Sequence, residues 1–380
     1  MNQVSRSRIM AGFVLVQLGT FPAAAAQPVF QVRPSLSATE VYESDLFANP
    51  SGRDGDVITR VTPAIETDHR SPLWTISSRF AADAERYARH QELTTPAARQ
   101  QAALTMTYRP TPRLAVAGGA DLVVTRNPQE LNTATGLALI RARARRVSAH
   151  ASLSRAMSPA TTGALEYTFA DERLGQAFRA ATHALEAGAE RRLSGRTTVS
   201  SRYRVHGFAF TAAGEDQAVI SQSLTMGVWR AITPRVSVSV EAGPRVTGSV
   251  ARPELTTSME WTGIASNAAL SYTRSQTTVI GLVGVAEIQS MNAAFGRTHG
   301  RSLDVRVAPG FFRSALPGVH AHVYVLSASV IGRFRNMFAI DLTVDGAVQE
   351  GSLYPALASQ TIPRHRILLR WRAEARRSEP

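Results

Sequence analysis

His320 and His322 are placed so that their side chains could do chemistry together. At i and i+2 they share one face of a strand, with Tyr324 next along, and paired imidazoles ligate transition metals. No carboxylate or third histidine lies close by, so they read as lumen-facing or rim histidines and not as a metal site. Asp68-His69 has the acid–histidine order of barrel hydrolases. It is expected at a short turn from His69 to Pro72, as an exposed polar dipeptide with no partner nucleophile. The chain has no G-x-S-x-G elbow, phosphate-binding glycine loop or H-E-x-x-H motif. With no cysteine it offers no thiolate metal site or disulfide framework. The expectation is no catalytic residue, cofactor or metal, and no enzyme.

The remaining chemistry is charge. The 380 residues carry 42 basic side chains, all arginine, against 29 acidic ones, a formal net charge of +13. A guanidinium stays charged at any accessible pH and pairs bidentately with carboxylate or phosphate. Arg79, Arg202, Arg204, Arg306, Arg366 and Arg370 fall on the polar faces of alternating segments, and so do Glu241, Asp304, Asp341 and Asp345. These ten are the candidate lumen-lining residues. Clustered at one height, the arginines would form an anion-selective ring. Interleaved with the acids they would form a neutralised network that stiffens the lumen, and acids on equivalent faces favour this second arrangement. Anionic polysaccharide or small anionic solutes are the partners such a lumen suggests. Nucleic acid is not expected, because the arginines are dispersed and not clustered on one helix.

The elements that position these side chains are strands. Val236, Val238, Val240 and Ala242 alternate with Ser237, Ser239, Glu241 and Gly243. Phe338, Ile340, Leu342 and Val344 alternate with Ala339, Asp341, Thr343 and Asp345. Period 2 sends successive side chains to opposite faces of a sheet, whereas a helix would scatter the charges around its circumference. The segments run to lengths that cross a bilayer when tilted, about 9–11 residues or more. Their polar faces are rich in Arg, Asp and Glu, as in a wet lumen. Gly118-Gly119, inside the alternating run Leu114 to Val124, reads as a bulge or a point of wall curvature.

The first 26 residues have the pattern of a cleavable signal peptide. Arg6 and Arg8 precede an apolar run from Ile9 to Leu18, and Ala24-Ala25-Ala26 precedes Gln27. Residues 27–380 show no compositional break. The reading is all-β: one closed antiparallel transmembrane barrel of about 16–18 strands in the outer membrane of a Gram-negative cell. Its surroundings would be outer-membrane lipid and lipopolysaccharide, and its insertion would need the barrel assembly machinery. Tight turns are expected at 109–113, 158–160, 194–196, 233–235 and 333–336. Looser connections are expected at 89–97, 127–134, 172–176, 211–216, 248–253 and 350–361. Residues 254–290 fit either one long strand or a hairpin turning at Thr262-Gly263.

The segment from Val32 to Phe47, with Pro34, Leu36, Tyr42, Asp45 and Phe47, is followed by Asp56, Ile58, Val61 and Pro63. Together they resemble the opening hairpin of outer-membrane β-barrel proteins of the exosortase (PEP-CTERM), exopolysaccharide-locus type, which are similar to β-barrel porin families. Trp229-Arg230 before Thr233-Pro234-Arg235 is similar to a turn of the same group. The likeness is best over residues 30–250 and its motifs are strand-and-turn grammar. It implies an outer-membrane location and a passive pore or a part in exopolysaccharide export. The residues alone fit a non-conducting structural or surface-binding barrel as well.

Overall fold

The computed structural model describes residues 29–47, 54–138, 141–212, 214–300, 302–334, 338–354 and 361–374. The expected signal segment, 1–26, lies outside the described residues. Eighteen strands follow one another: β1 Val29–Glu43, β2 Asp56–Arg70, β3 Trp74–Tyr87, β4 Thr95–Thr111, β5 Leu114–Thr125, β6 Ala144–Ser158, β7 Thr161–Leu174, β8 Phe178–Ser194 and β9 Thr197–Ala212. Then come β10 Glu215–Thr233, β11 Val236–Thr247, β12 Val250–Thr262, β13 Ser266–Thr277, β14 Ala286–His299, β15 Leu303–Leu316, β16 Val319–Phe334, β17 Phe338–Glu350 and β18 Thr361–Glu374. Each pairs antiparallel with its sequence neighbours, and β1 also pairs with β18 in the register Tyr42↔Ile367. The barrel is closed. That closure leaves no open edge, where each unpaired N–H or C=O in hydrocarbon would cost several kcal/mol.

The alternation decides which side of the wall is wet. Leu36, Ile65, Leu104, Leu153, Leu185, Leu224, Met259, Leu326 and Leu342 are exposed on the outer surface. Thr39, Arg60, Asp83, Thr225, Ser329 and Thr343, on the opposite face of their strands, are buried inside. A closed wall that is apolar outside and polar inside is stable in lipid and not in water. The shortest strands have 12 residues and the longest 19, enough to span at a tilt. Aromatic side chains mark the tight-turn rim: Trp74 stacks on Tyr108 at 4.1 Å between ring centres, and Trp371 lies 6.0 Å from Phe338. Such girdles sit at the lipid–water interface.

Hairpins of two or three residues join β2–β3, β4–β5, β6–β7, β8–β9, β10–β11 and β12–β13 at one end. The long connections 44–55, 88–94, 126–143, 278–285 and 351–360 are at the other. Residues 254–290 contain a hairpin turning at 263–265. Three expected loops are corrected: 172–176, 211–216 and 248–253 belong mostly to strands, with short turns at 175–177, 213–214 and 248–249. Gly175 and Gly248, at φ 58° and 57°, supply the left-handed backbone that such turns need. At Gly118-Gly119 the register runs through without a bulge, which leaves wall curvature as the reading. A Cβ on Gly119 would lie 2.5 Å from His150 Cε1, so the glycine makes room for that ring. Pro244 faces Pro253 on β11 and β12, and neither has an N–H to donate to the ladder.

Candidate functional site

The described residues of the connection from β5 to β6, 126–138 and 141–143, fold into the barrel instead of standing above it. It opens with a 3-10 turn at Pro128–Leu131. Leu131 then packs with Phe178 and Ala180 of β8, Phe208 and Phe210 of β9, and Ile280. Leu137 packs with Ala286 of β14, Ala321 and Val323 of β16, Val279 and Leu353. Those two clusters lie far apart around the strand order, so the segment crosses the lumen as a strap. The loops 278–285 and 351–354 share both contact regions, and together they build a dry interior at the loop end.

Polar bonds fix the strap along its length. Ala138 N–H donates to Gln349 Oε1 of β17 at 2.8 Å. Ile280 N–H donates to Asn132 Oδ1 at 3.2 Å, and the Tyr354 hydroxyl donates to Ile280 O at 2.6 Å. Burial pushes the Tyr354 phenol well above its ordinary value, so it keeps the proton it donates. Arg146 Nη2 of β6 donates to Leu131 O at 2.6 Å, and Arg364 of β18 reaches Gln129 and Gly136 O. Arg141, at the returning end, donates to Leu46 O at 3.1 Å and to the Tyr87 hydroxyl at 2.5 Å. It also lies 3.4 Å from Glu43.

Between the strap and the wall of β1–β5 and β18 lies a charged gap of only about 10 Å³. Arg60, Arg99, Arg126, Arg141 and Arg366 line it with Glu43, Glu85 and Glu130. Arg60 Nε donates to Glu85 Oε1 at 2.8 Å, and Arg366 Nη2 lies 3.3 Å from Glu43. The space holds about one water at most.

The candidate lumen residues lie on the inward faces, distributed over the wall. Arg202, Arg204 and Glu241 come together in one network, where Arg202 pairs with Glu241 and lies 3.0 Å from Glu190. Arg204 pairs with Glu186 and, at 3.1 Å, with Glu254. Asp341 and Asp345 are the register partners of Arg370 and Arg366 across β17 and β18. Arg79 lies 3.2 Å from Glu66, and Asp304 lies 2.5 Å from Arg333, while Arg306 is an exposed inward neighbour two residues on. The candidates do not form one ring.

One reading is narrowed and one corrected. His320 and His322, at the start of β16, share its outward face with Tyr324, their rings 5.5 Å apart and His322 tilted against Phe311, so of the two alternatives the lumen-facing one is set aside and the rim one stands. Asp68 and His69 lie within β2 and not at a turn, and Asp68 pairs with Arg33. Among the described residues no group of three or more His, Cys, Asp or Glu could hold a metal ion. Sequence reasoning missed Glu43, Arg60, Glu85, Arg141 and every strap anchor. Alternation could have flagged Arg60 and Glu85, each an inward charge on its strand. Nothing local signals Ala138–Gln349, whose partners stand 211 residues apart.

No family model matches the chain, and no curated protein matches it. Among solved structures it is similar to the FrpB iron transporter of Neisseria meningitidis, with TM-score 0.50 and 11% identity over 92% of this chain and 82% of that one. OccAB4 of Acinetobacter baumannii gives TM-score 0.48 and 10% identity over 93% of this chain and 100% of that one. OpdL of Pseudomonas aeruginosa gives 0.49 and 8% over 91% and 99%. At these identities the likeness is one of fold. The apolar outer face of a wall closed on itself sets its surroundings as lipid. The protein is an outer-membrane β-barrel.

Proposed function

We propose that the barrel is a channel for small solutes whose outer mouth is narrowed by the strap 126–143. The observation that carries this reading is the crossing of the lumen by that strap, with Leu131 seated against β8–β9 and Leu137 against β14–β16. A barrel of eighteen strands encloses more space than its own side chains fill, so the strap sets the size of what passes. Its anchors are mostly side-chain bonds and ion pairs, not ladder bonds, and can be broken without opening the wall.

Exopolysaccharide export, which the resemblance of the opening hairpin implies, is the wider alternative. A polymer would need the strap displaced, and the hairpin motifs are structural. A non-conducting barrel is favoured by the dry clusters at the loop end. Planar-bilayer recording of the full chain and of a variant lacking 132–138 separates these readings. Small conductance steps in the wild type and much larger ones in the deletion are expected. Absence of steps in both, with the barrel folded, would sink the channel, and large steps in the wild type would sink the strap as its constriction.

A further inference from the structure

Arg245 of β11 points inward and is only 3% exposed, yet none of its three guanidinium nitrogens has a hydrogen-bond partner. A guanidinium offers five N–H donors, and burying them without acceptors leaves an uncompensated charge. Glu254 and Glu287 attract it only through space and accept none of its hydrogen bonds, being bonded to other arginines. Glu287 of β14 is held by Arg252 of β12 and by Arg274 of β13, whose Nε donates at 2.8 Å. Glu254 accepts from Arg204 of β9 at 3.1 Å. At the other end of the same network Glu186, Glu190 and Glu241 all surround Arg202. Negative charge is therefore gathered around Arg202 and positive charge around Arg245. The register adds to this: Arg245 faces Arg252 directly on the neighbouring strand and the small Ser223 on the other side. Like charges directly opposite one another destabilise a sheet pair.

We propose that Arg245 anchors a binding site for an oxyanion, a carboxylate or phosphate group carried by a solute in the lumen, with Arg252 as its outer contact. The anion satisfies the Arg245 donors and separates two guanidiniums that otherwise repel. Arg252, whose side chain is half exposed, marks the side from which the ligand enters. Planar guanidinium forks match both oxyanions, and the chemistry is shared. The inference rests on the channel reading only for how the solute arrives.

Calorimetric titration of the full-length protein in detergent, at fixed ionic strength, tests the site without any need for conductance. The probes are sodium phosphate and, separately, sodium acetate. Saturable binding of at least one is expected, and the tighter of the two tells which group the site takes. Arg245→Met weakens it by about tenfold or more, with thermal stability equal to wild type or higher, because a buried unpaired charge is removed. Arg196→Gln, at a tight turn, leaves binding unchanged. Arg252→Gln, at a half-exposed position, weakens binding and keeps the test readable should Arg245→Met fail to assemble. Wild-type protein that binds neither probe, or an Arg245→Met or Arg252→Gln protein that binds as wild type does, overturns the site. Binding without conductance would instead retain the site and overturn the channel.

Discussion

Replacing Leu137 with alanine perturbs the strap without touching the wall. The leucine side chain is fully buried and its neighbours are Val279, Ala286, Ala321, Val323 and Leu353. Truncating a buried leucine costs about 2–5 kcal/mol, depending on how far the cavity collapses. Here two of the neighbours, Val279 and Leu353, lie in connections, as Leu137 itself does, and these can shift, so the low end, about 2 kcal/mol, is the proper figure. No ladder bond depends on this side chain, so the whole cost falls on the strapped state. At about 1.4 kcal/mol for each factor of ten, the ratio of unstrapped to strapped barrels rises about thirty-fold. Single-channel recording should show that rise in the fraction of time spent at the larger conductance, with the size of each level unchanged. Leu137→Met, which conserves volume, costs less than about 1.5 kcal/mol and should raise it far less. An unchanged open fraction in a folded Leu137→Ala barrel would refute the reasoning, because it would mean that the apolar seat does not hold the strap.

Three further outcomes follow from the same geometry. Leu326 lies midway along β16 on the lipid face, so Leu326→Arg should lower stability toward urea in lipid vesicles by about 2–4 kcal/mol. Gly119→Ala brings its Cβ to 2.5 Å from His150 Cε1 and 2.9 Å from Leu104 O, and should cost about 1–3 kcal/mol in the same assay. Adding His150→Ala should recover only part of that, since the carbonyl remains. Burial holds the Tyr354 phenol above its ordinary value in the strapped barrel, so a phenol released to solvent ionises first as pH rises. The docking of the strap, which reaches Tyr354 through Asn132 and Ile280, should therefore hold through neutral pH and weaken above about pH 10, with Tyr354→Phe abolishing that dependence of the open fraction.

The wall was legible in the sequence because each strand needs only its own alternation to declare its faces. Glu241 and Asp341 were placed inward by their immediate neighbours, and the structure has them on that side. Proline and glycine at 233–235 likewise specify a turn from local backbone chemistry. Legibility failed wherever a turn's tightness depends on how far strands continue: the polar stretch 211–216 looks like a loop, yet Thr211 and Asp216 are register partners. It was incomplete for the histidines of β16, where Ala321 and Val323 take the buried inward positions and leave His320 and His322 outside. The strap was invisible in kind. Residues 127–134 read as polar connection, and only the apolar walls supplied by β8, β9, β14 and β16 draw Leu131 and Leu137 inward.

The two features of the lumen are possible for one physical reason. Closure gives every strand backbone partners on both sides, so the ladder itself stays complete whatever polar groups the inner face carries. A soluble core of the same size could not bear Arg245 without an acceptor, because the loss would fall on the packing that holds the fold together. In the barrel that cost is local. It raises the free energy of one patch of the lumen and so increases the gain when an anion arrives. The strap follows the same logic from the other side, since its docking is optional for the wall and its release leaves the ladder intact. Under the channel function proposed above, a buried cation without acceptors and a strap held apart from the ladder would act together in admitting solutes one at a time.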